Sequence, residues 1–119
     1  MKQCYLCERN LTLENFNKKR KECKECSKGM KLEYRYGITQ KKYNELLILQ
    51  GNACAICFRS PEDVGVLVVD HDHACCPTER SCGECVRKLL CGYCNTSIGL
   101  MEDDIERLLM ASEYLKNYS

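Results

Sequence analysis

Three features are missing from this sequence: a long hydrophobic run, an apolar leader after Met1 and a low-complexity segment. A membrane-spanning helix needs about 18 or more consecutive apolar residues, so the sequence excludes a transmembrane class. Secreted proteins begin with an apolar signal core, and without one we expect a cytoplasmic protein in a reducing compartment. No membrane partner is expected.

Cysteine, in contrast, is abundant, with 12 among the 119 residues. Such a proportion is typical of either a disulfide scaffold or a zinc protein. A chain of this length makes one compact domain or two very small ones, and its hydrophobic core is modest, so we expect a further source of stability. The absence of a signal core favours bound metal over disulfides.

Ten of the cysteines form five C-x-x-C pairs, and the other two are adjacent. The pairs are Cys4/Cys7, Cys23/Cys26, Cys54/Cys57, Cys82/Cys85 and Cys91/Cys94, and the adjacent residues are Cys75 and Cys76. Each pair can place two thiolates on one side of a tight turn, and two pairs complete a zinc tetrahedron. Nearest neighbours predict that the first two pairs share one zinc, whereas the third could join either of the last two. We identify no internal repeat beyond these pairs.

The formal net charge of +1 hides an uneven distribution. The first 50 residues carry 12 basic and 6 acidic side chains, whereas the rest of the chain carries 6 and 11. Ten basic residues lie within residues 18–42, near Tyr34, Tyr36 and Tyr43, which suits contact with a phosphate backbone. From the charge alone, a solvated helix face is as good an interpretation of these residues as a phosphate-binding surface. Because each four-thiolate zinc site adds a net charge of about −2, any affinity for nucleic acid must come from this local patch.

Local patterns predict three helices and one strand. Residues 26–36 predict a helix that ends at Gly37, and Thr39 can cap a second helix. Residues 64–69 are nearly all apolar and predict a strand. Residues 95–115 carry apolar side chains at helical spacing and predict one final helix.

Histidine is scarce, and both copies lie in one cluster directly after the predicted strand: Asp70, His71, Asp72 and His73. A neutral imidazole is a base near pH 7, and carboxylates are hard oxygen ligands for a divalent ion. The cluster therefore favours a catalytic role for His71. His73 could instead complete a zinc site with nearby cysteines.

Asn95 follows Cys94 immediately, so a zinc-bound thiolate would anchor its position. The simplest role for an isolated asparagine near a helix start is to cap the helix. Here the anchoring also suits a metal ligand that must be held within a narrow tolerance.

Several of these segments together resemble the phage recombination endonuclease VII family, within the HNH or ββα-metal nucleases. They are Cys54-Ala-Ile-Cys57, Val69-Asp70-His71-Asp72-His73, Val86-Arg87-Lys88-Leu89-Leu90-Cys91 and Cys94-Asn95. The resemblance covers roughly residues 34–101. It implies a small α+β, zinc-stabilised protein with a ββα-metal nuclease core and a C-terminal helix. Residues 37–119 would form this domain. Residues 1–36 would precede it as a zinc ribbon with four cysteine ligands and a basic helix.

The resemblance also implies a role for each site residue. Cys54, Cys57, Cys91 and Cys94 would hold the structural zinc of the family. Asp70 and Asn95 would bind a catalytic Mg²⁺ or Mn²⁺, His71 would be the general base, and His73 would support the scissile phosphate or the leaving group. The implied activity is metal-dependent hydrolysis of DNA, with preference for branched substrates such as Holliday junctions. The alternatives are a sequence-preferring or nonspecific nicking nuclease and a non-catalytic zinc ribbon that binds nucleic acid.

The chain departs from the family pattern in three places. Lys88 stands where a glycine is usual, and Ile98 stands where a supporting glutamate is usual. Residues 74–85 are an insertion. Its cysteines, Cys75, Cys76, Cys82 and Cys85, are expected to form a third zinc site, the alternative being partly free thiols. Resolution of a junction needs two opposed cuts and hence a homodimer; the last helix could supply that interface or cover the chain's own core.

Overall fold

The computed structural model describes all 119 residues and confirms a small α+β fold. Its strands are β1 (Lys2–Gln3), β2 (Asn10–Leu11), β3 (Val68–His71) and β4 (Val86–Leu90), and its helices are α1 (Lys24–Tyr36), α2 (Gln40–Leu49), α3 (Pro61–Val64), α4 (Gly92–Leu100) and α5 (Ile105–Asn117). The strands form two sheets of two strands each, β1 with β2 and β3 with β4. None of the helices has the length and apolar character needed to cross a membrane.

The chain divides into two compact units, each assembled from two segments. The first unit comprises Met1–Glu45 and His71–Val86, and the second comprises Leu46–Asp70 and Arg87–Ser119. The predicted modules over residues 1–36 and 37–119 stay a prediction.

Cysteine makes up much of the core of the first unit. β1 and β2 pair antiparallel, with Lys2 opposite Leu11. The buried cluster beneath them consists of Cys4, Phe16 and Cys23, of which only Phe16 is a large apolar side chain. So small an apolar core supplies little hydrophobic stabilisation, which is consistent with a need for bound metal.

α1 and the start of α2 follow the sequence signals closely. α1 is capped by Cys23 and ends at Gly37, whose φ of 69° lies in the left-handed region and whose amide donates to the Glu33 carbonyl. At the start of α2, the Thr39 hydroxyl accepts from the Lys42 amide at 3.1 Å. Both predicted helices are confirmed, and so is the role of Gly37 as a terminator.

The insertion between β3 and β4 packs against the end of α1. The Ser81 amide donates to the Arg35 carbonyl at 2.7 Å, and the Arg80 guanidinium lies 3.7 Å from the Tyr34 ring centroid. A Cβ atom at Gly37 would come within 2.7 Å of the Cys82 backbone. Only a glycine permits this approach, so the insertion is an integrated part of the first unit.

The second unit has a larger apolar core, which includes residues of β3 and β4. Leu67, Val69, Leu89 and Leu90 are buried there. The Gln50 side chain bonds to the backbone of Leu89 on β4, since its amide nitrogen donates to the Leu89 carbonyl at 2.9 Å and its amide oxygen accepts from the Leu89 amide at 2.8 Å. These two hydrogen bonds satisfy both backbone polar groups of Leu89.

The predicted strand over residues 64–69 is wrong in its first four residues, since only Val68 and Val69 belong to a strand. Pro61 starts the short helix α3, and Gly65 follows it with a φ of 86°. Proline is favoured at the first helical position, and a left-handed glycine cannot continue a strand. β3 therefore begins at Val68.

The predicted single helix over residues 95–115 is also wrong, because the chain breaks it into α4 and α5. Glu102 and Asp103 have φ values of 58° and 53°, which are incompatible with a right-handed helix. Asp104 then caps α5, and its carboxylate accepts from the Glu106 amide at 2.9 Å and the Arg107 amide at 3.3 Å. The helical spacing of apolar residues continues through the break, so periodicity alone could not reveal it.

Candidate metal centres and active-site residues

The twelve cysteines gather into three groups of four, whose sulfur atoms within each group lie within 4.8 Å of one another. The groups are Cys4, Cys7, Cys23 and Cys26; Cys54, Cys57, Cys91 and Cys94; and Cys75, Cys76, Cys82 and Cys85. We refer to them as the first, second and third cysteine groups. The Cys54/Cys57 pair thus shares a group with Cys91/Cys94 and not with Cys82/Cys85, a choice that the spacing alone left open.

Distances between sulfur atoms fit a tetrahedral zinc ion. With Zn–S bonds of ~2.3 Å, the edge of the tetrahedron is about 3.8 Å. The Cys4–Cys26, Cys57–Cys91 and Cys75–Cys82 distances are 3.8, 3.8 and 3.9 Å. All twelve cysteines are free thiols. Each group could therefore hold zinc, for which thiolates are the preferred soft ligands.

The first and second groups are built in the same way, a repeat that the sequence analysis missed. In each, the first cysteine amide donates to an arginine carbonyl five residues later, from Cys4 to Arg9 at 3.0 Å and from Cys54 to Arg59 at 2.9 Å. The residue before each arginine has a φ of 62°. The common pattern C-x-x-C-x-R, present twice in the sequence, was the available signal.

The repeat extends to the helices that complete each group. Cys23 caps α1 and Cys91 caps α4. The residues that follow the last cysteine are Ser27 and Asn95, whose amides donate to the Cys23 and Cys91 carbonyls at 2.9 and 3.0 Å. Asn95 therefore lies inside the first turn of α4 and does not cap it, which leaves its side-chain amide available for another role.

An arginine donates to a cysteine sulfur in both repeats. Arg9 Nε lies 3.3 Å from Cys7 Sγ, and Arg59 Nε lies 3.2 Å from Cys57 Sγ. The hydrogen bond from Arg59 lowers the pKa of the Cys57 thiol to about 6. A cation that stabilises the thiolate favours metal binding, because zinc ligates the deprotonated form.

Replacement of Arg59 should therefore make the second group lose zinc at a higher pH. Protons compete with zinc for Cys57, and Arg59→Ala raises the pKa of this thiol above about 6. The midpoint of zinc release on acidification, followed with a zinc-sensitive dye, should move upward in pH. Arg107→Ala is the control, since Arg107 pairs with Glu102 at 3.0 Å. Equal midpoints for both variants would contradict the prediction.

Asp70 lies at the end of β3, is 6% exposed and is held by an arginine that the sequence analysis did not single out. Arg87 Nε and Nη2 donate to the two carboxylate oxygens of Asp70 at 2.6 and 2.9 Å. Arg87 Nη2 also lies 3.1 Å from Asp103 Oδ2, within the break between α4 and α5. These contacts raise the pKa of the Arg87 guanidinium.

The Asp70 carboxylate retains capacity for a metal ion in this arrangement. Each carboxylate oxygen has two lone pairs, and Arg87 takes one from each. Carboxylate and amide oxygens are ligands that Mg²⁺ prefers. Asp70 and the half-buried Asn95 thus have the right chemistry for a hard divalent ion, and neither belongs to a cysteine group.

Removal of Arg87 should destabilise the protein, and a divalent ion should partly compensate. Loss of one partner of a buried pair costs about 3–5 kcal/mol. Because the Arg87 side chain is 39% exposed, we expect roughly 1–3 kcal/mol for Arg87→Gln. Urea denaturation with and without Mg²⁺ measures both effects. Arg107→Gln, whose partner Glu102 is 71% exposed, should cost less than ~1 kcal/mol. The assignment of Asp70 as a ligand of the divalent ion would be wrong if Mg²⁺ stabilised neither the wild type nor Arg87→Gln.

His71 is 3% exposed and is held by the insertion. Its Nε2 lies 3.0 Å from the carbonyl oxygens of both Cys76 and Thr78. Carbonyls only accept, so Nε2 carries the proton and donates to them. In the neutral ring the lone pair is then on Nδ1.

Asp72 and His73, which follow His71 in the chain, are exposed. The His73 ring centroid is 4.4 Å from that of His71. The third cysteine group is complete with four sulfurs and does not include His73. The Asp72 carboxylate accepts from the Ala74 amide at 2.9 Å, which starts the turn after β3.

The basic patch of residues 18–42 is also exposed. All ten of its lysine and arginine side chains are solvent-accessible, including those on α1. The patch belongs entirely to the first unit.

Comparison with known proteins identifies three similarities. The family model described as recombination endonuclease VII matches residues 29–117. The Gene 59 protein of Mycobacterium phage L5 is 40% identical over 83 residues, which are 69% of this chain and 46% of the phage protein. The crystal structure of the ββα-Me type II restriction endonuclease Hpy99I matches with a TM-score of 0.47 and 27% identity, over 98% of this chain and 65% of the enzyme. The chain thus spans about half the length of the phage protein and about two thirds of the restriction enzyme.

Proposed function

The chain belongs to the recombination endonuclease VII family, and from this we propose that it is a Mg²⁺-dependent endonuclease that hydrolyses phosphodiester bonds in DNA. The observation that carries the proposal is the state of His71. Its buried ring donates from Nε2 to two carbonyls, which leaves Nδ1 as a base.

His71 acts on the water molecule that attacks the phosphate. Nδ1 of the neutral imidazole accepts a proton from this water, and the two carbonyls that accept from Nε2 stabilise the imidazolium that forms. A positioned base of this kind contributes about 10²–10⁴-fold to the rate. His73, whose ring is tilted by 40° to that of His71 at a centroid distance of 4.4 Å, supports the scissile phosphate or the leaving group.

Asp70 and Asn95 are the residues that would hold the divalent ion, Mg²⁺ or Mn²⁺. Such an ion, when bound, neutralises charge on the phosphate and stabilises the 3′ leaving oxygen. Arg87 orients the Asp70 carboxylate and moderates its charge. Asn95 is anchored through its neighbour Cys94 in the second cysteine group.

In this proposal β3, β4 and α4 are the elements of a ββα-metal core. β3 ends in the Asp70–His71 pair, β4 pairs with β3 in one sheet, and α4 carries Asn95 in its first turn. Zinc in the first and second cysteine groups stabilises one unit each, and the third group adds a third zinc.

The substrate is DNA, and its backbone contacts the basic patch of residues 18–42. Ten exposed cations on one unit supply the charge that phosphate binding needs, even though the rest of the chain is acidic. Branched DNA is the preferred form in this proposal, and cleavage of opposed strands requires a homodimer. Ile105, Leu109 and Leu115 on α5 are between 58% and 72% exposed in the single chain and would be covered by a second copy.

Nicking of a supercoiled plasmid tests the activity directly. We expect open-circular product with Mg²⁺ and none with EDTA. DNA binding without cleavage in either Mg²⁺ or Mn²⁺ would refute the proposal in favour of a non-catalytic zinc module. A four-way junction compared with linear duplex of the same sequence then tests the preference for branched DNA.

A further inference from the structure

The third cysteine group lies in the same unit as His71 and directly after it in the chain. We propose that a metal ion held by Cys75, Cys76, Cys82 and Cys85 positions His71, because it fixes the loop whose carbonyls accept from the His71 ring. The proposal rests on the role of His71 given above. It assigns the insertion a task in catalysis beyond stabilisation of the fold.

Apart from this group, polar contacts hold the loop, among them those of Arg80 and Ser81 with the end of α1. Residues 72–85 contain no helix or strand, and the Asp72 amide closes them by donating to the Cys85 carbonyl at 2.9 Å. Ser81 is the sole buried side chain among them. The four sulfurs join Cys75 and Cys76 near the start of the loop to Cys82 and Cys85 near its end.

The two carbonyls that hold His71 lie on the segment between the metal ligands. Cys76 is itself a ligand, Thr78 is two residues further on, and Cys82 is the next ligand. Both carbonyl oxygens are 3.0 Å from His71 Nε2. A metal bound at both ends of this segment restrains the carbonyls, and the carbonyls restrain the ring and its tautomer.

Loss of this metal should release His71 while the other two groups remain loaded. Cys75 and Cys82 are exposed, whereas the first and second groups each contain two fully buried cysteines. The third metal should therefore be the first removed by a chelator. Without it the segment no longer presents both carbonyls, and the ring can exchange its proton between Nδ1 and Nε2.

The test compares the wild type with Cys75→Ser/Cys82→Ser and with Glu79→Ser, a control in the same loop. Zinc content should be three per chain in wild type and control and two in the double variant. The nitrogen NMR shifts of the His71 ring, assigned with the help of His73→Gln because the chain has two histidines, should report Nε2–H alone in the first two proteins. The double variant should report a mixture of tautomers. Its kcat for nicking should fall about 10–100-fold with KM for DNA unchanged.

Two results would overturn the proposal: a wild-type protein that binds only two zinc ions, or a double variant that lacks the third zinc but keeps the wild-type tautomer and kcat. If the double variant does not fold, partial chelation of the wild type provides the same comparison. A wild type that does not cleave DNA refutes the proposed function instead, and the NMR comparison still decides whether the metal positions His71.

Discussion

His71→Ala should lower kcat for DNA cleavage by about 10²–10⁴-fold, because the variant has no base to accept the proton of the attacking water. Zinc content should stay at the wild-type value, since His71 is in none of the cysteine groups. Steady-state nicking of supercoiled plasmid measures the rate. Added imidazole should restore part of the lost activity, because it replaces the missing base and not a missing contact.

Asp72→Asn is the matched control for this variant. Asp72 is the next residue, is exposed, and accepts from the Ala74 amide through an oxygen that asparagine keeps. We expect a near-wild-type rate. The proposed mechanism is refuted if His71→Ala cleaves at that rate too.

Cys91→Ala should unfold the second unit. Cys91 is fully buried, and its sulfur accepts from the Cys94 amide at 3.4 Å as the cap of α4. Structural zinc contributes about 10–16 kcal/mol of apparent binding free energy in small domains, more than a chain of this size gains from folding otherwise. The helix content and the thermal unfolding temperature should both fall, and the variant should bind one zinc ion fewer per chain.

Cys82→Ala provides the contrast, since Cys82 is exposed and belongs to the third group. It should also lose one zinc, but the second unit should remain folded and most helix content should remain. Equal unfolding temperatures for Cys91→Ala and the wild type would show that the second group is not needed for stability.

Local sequence signals predicted much of the first unit. Gly37 and Thr39 predicted the end of α1 and the start of α2, because capping depends on a few neighbouring residues. The same reasoning missed the break between α4 and α5. There, Glu102 and Asp103 adopt left-handed conformations that their residue types do not predict. Asp103 also contacts Arg87, which lies on β4 and is distant in sequence.

The candidate site was only partly predictable for a similar reason. The order of Asp70, His71 and Asn95 identified candidate residues and, through the resemblance, their family. The partners of these residues come from elsewhere in the chain: Asp70 meets Arg87, 17 residues away, and His71 meets carbonyls of the segment between β3 and β4.

The sequence by itself determined which chemistry is available: twelve thiols spaced for metal binding, two histidines beside carboxylates, and a basic first half. Spacing decides this because two thiolates of one C-x-x-C pair meet whatever the rest of the chain does. Only the tertiary structure decided which pairs share a group, which arginine holds Asp70, and which nitrogen of His71 carries the proton. Those choices depend on atoms distant in sequence, and their proximity arises only when the chain has folded.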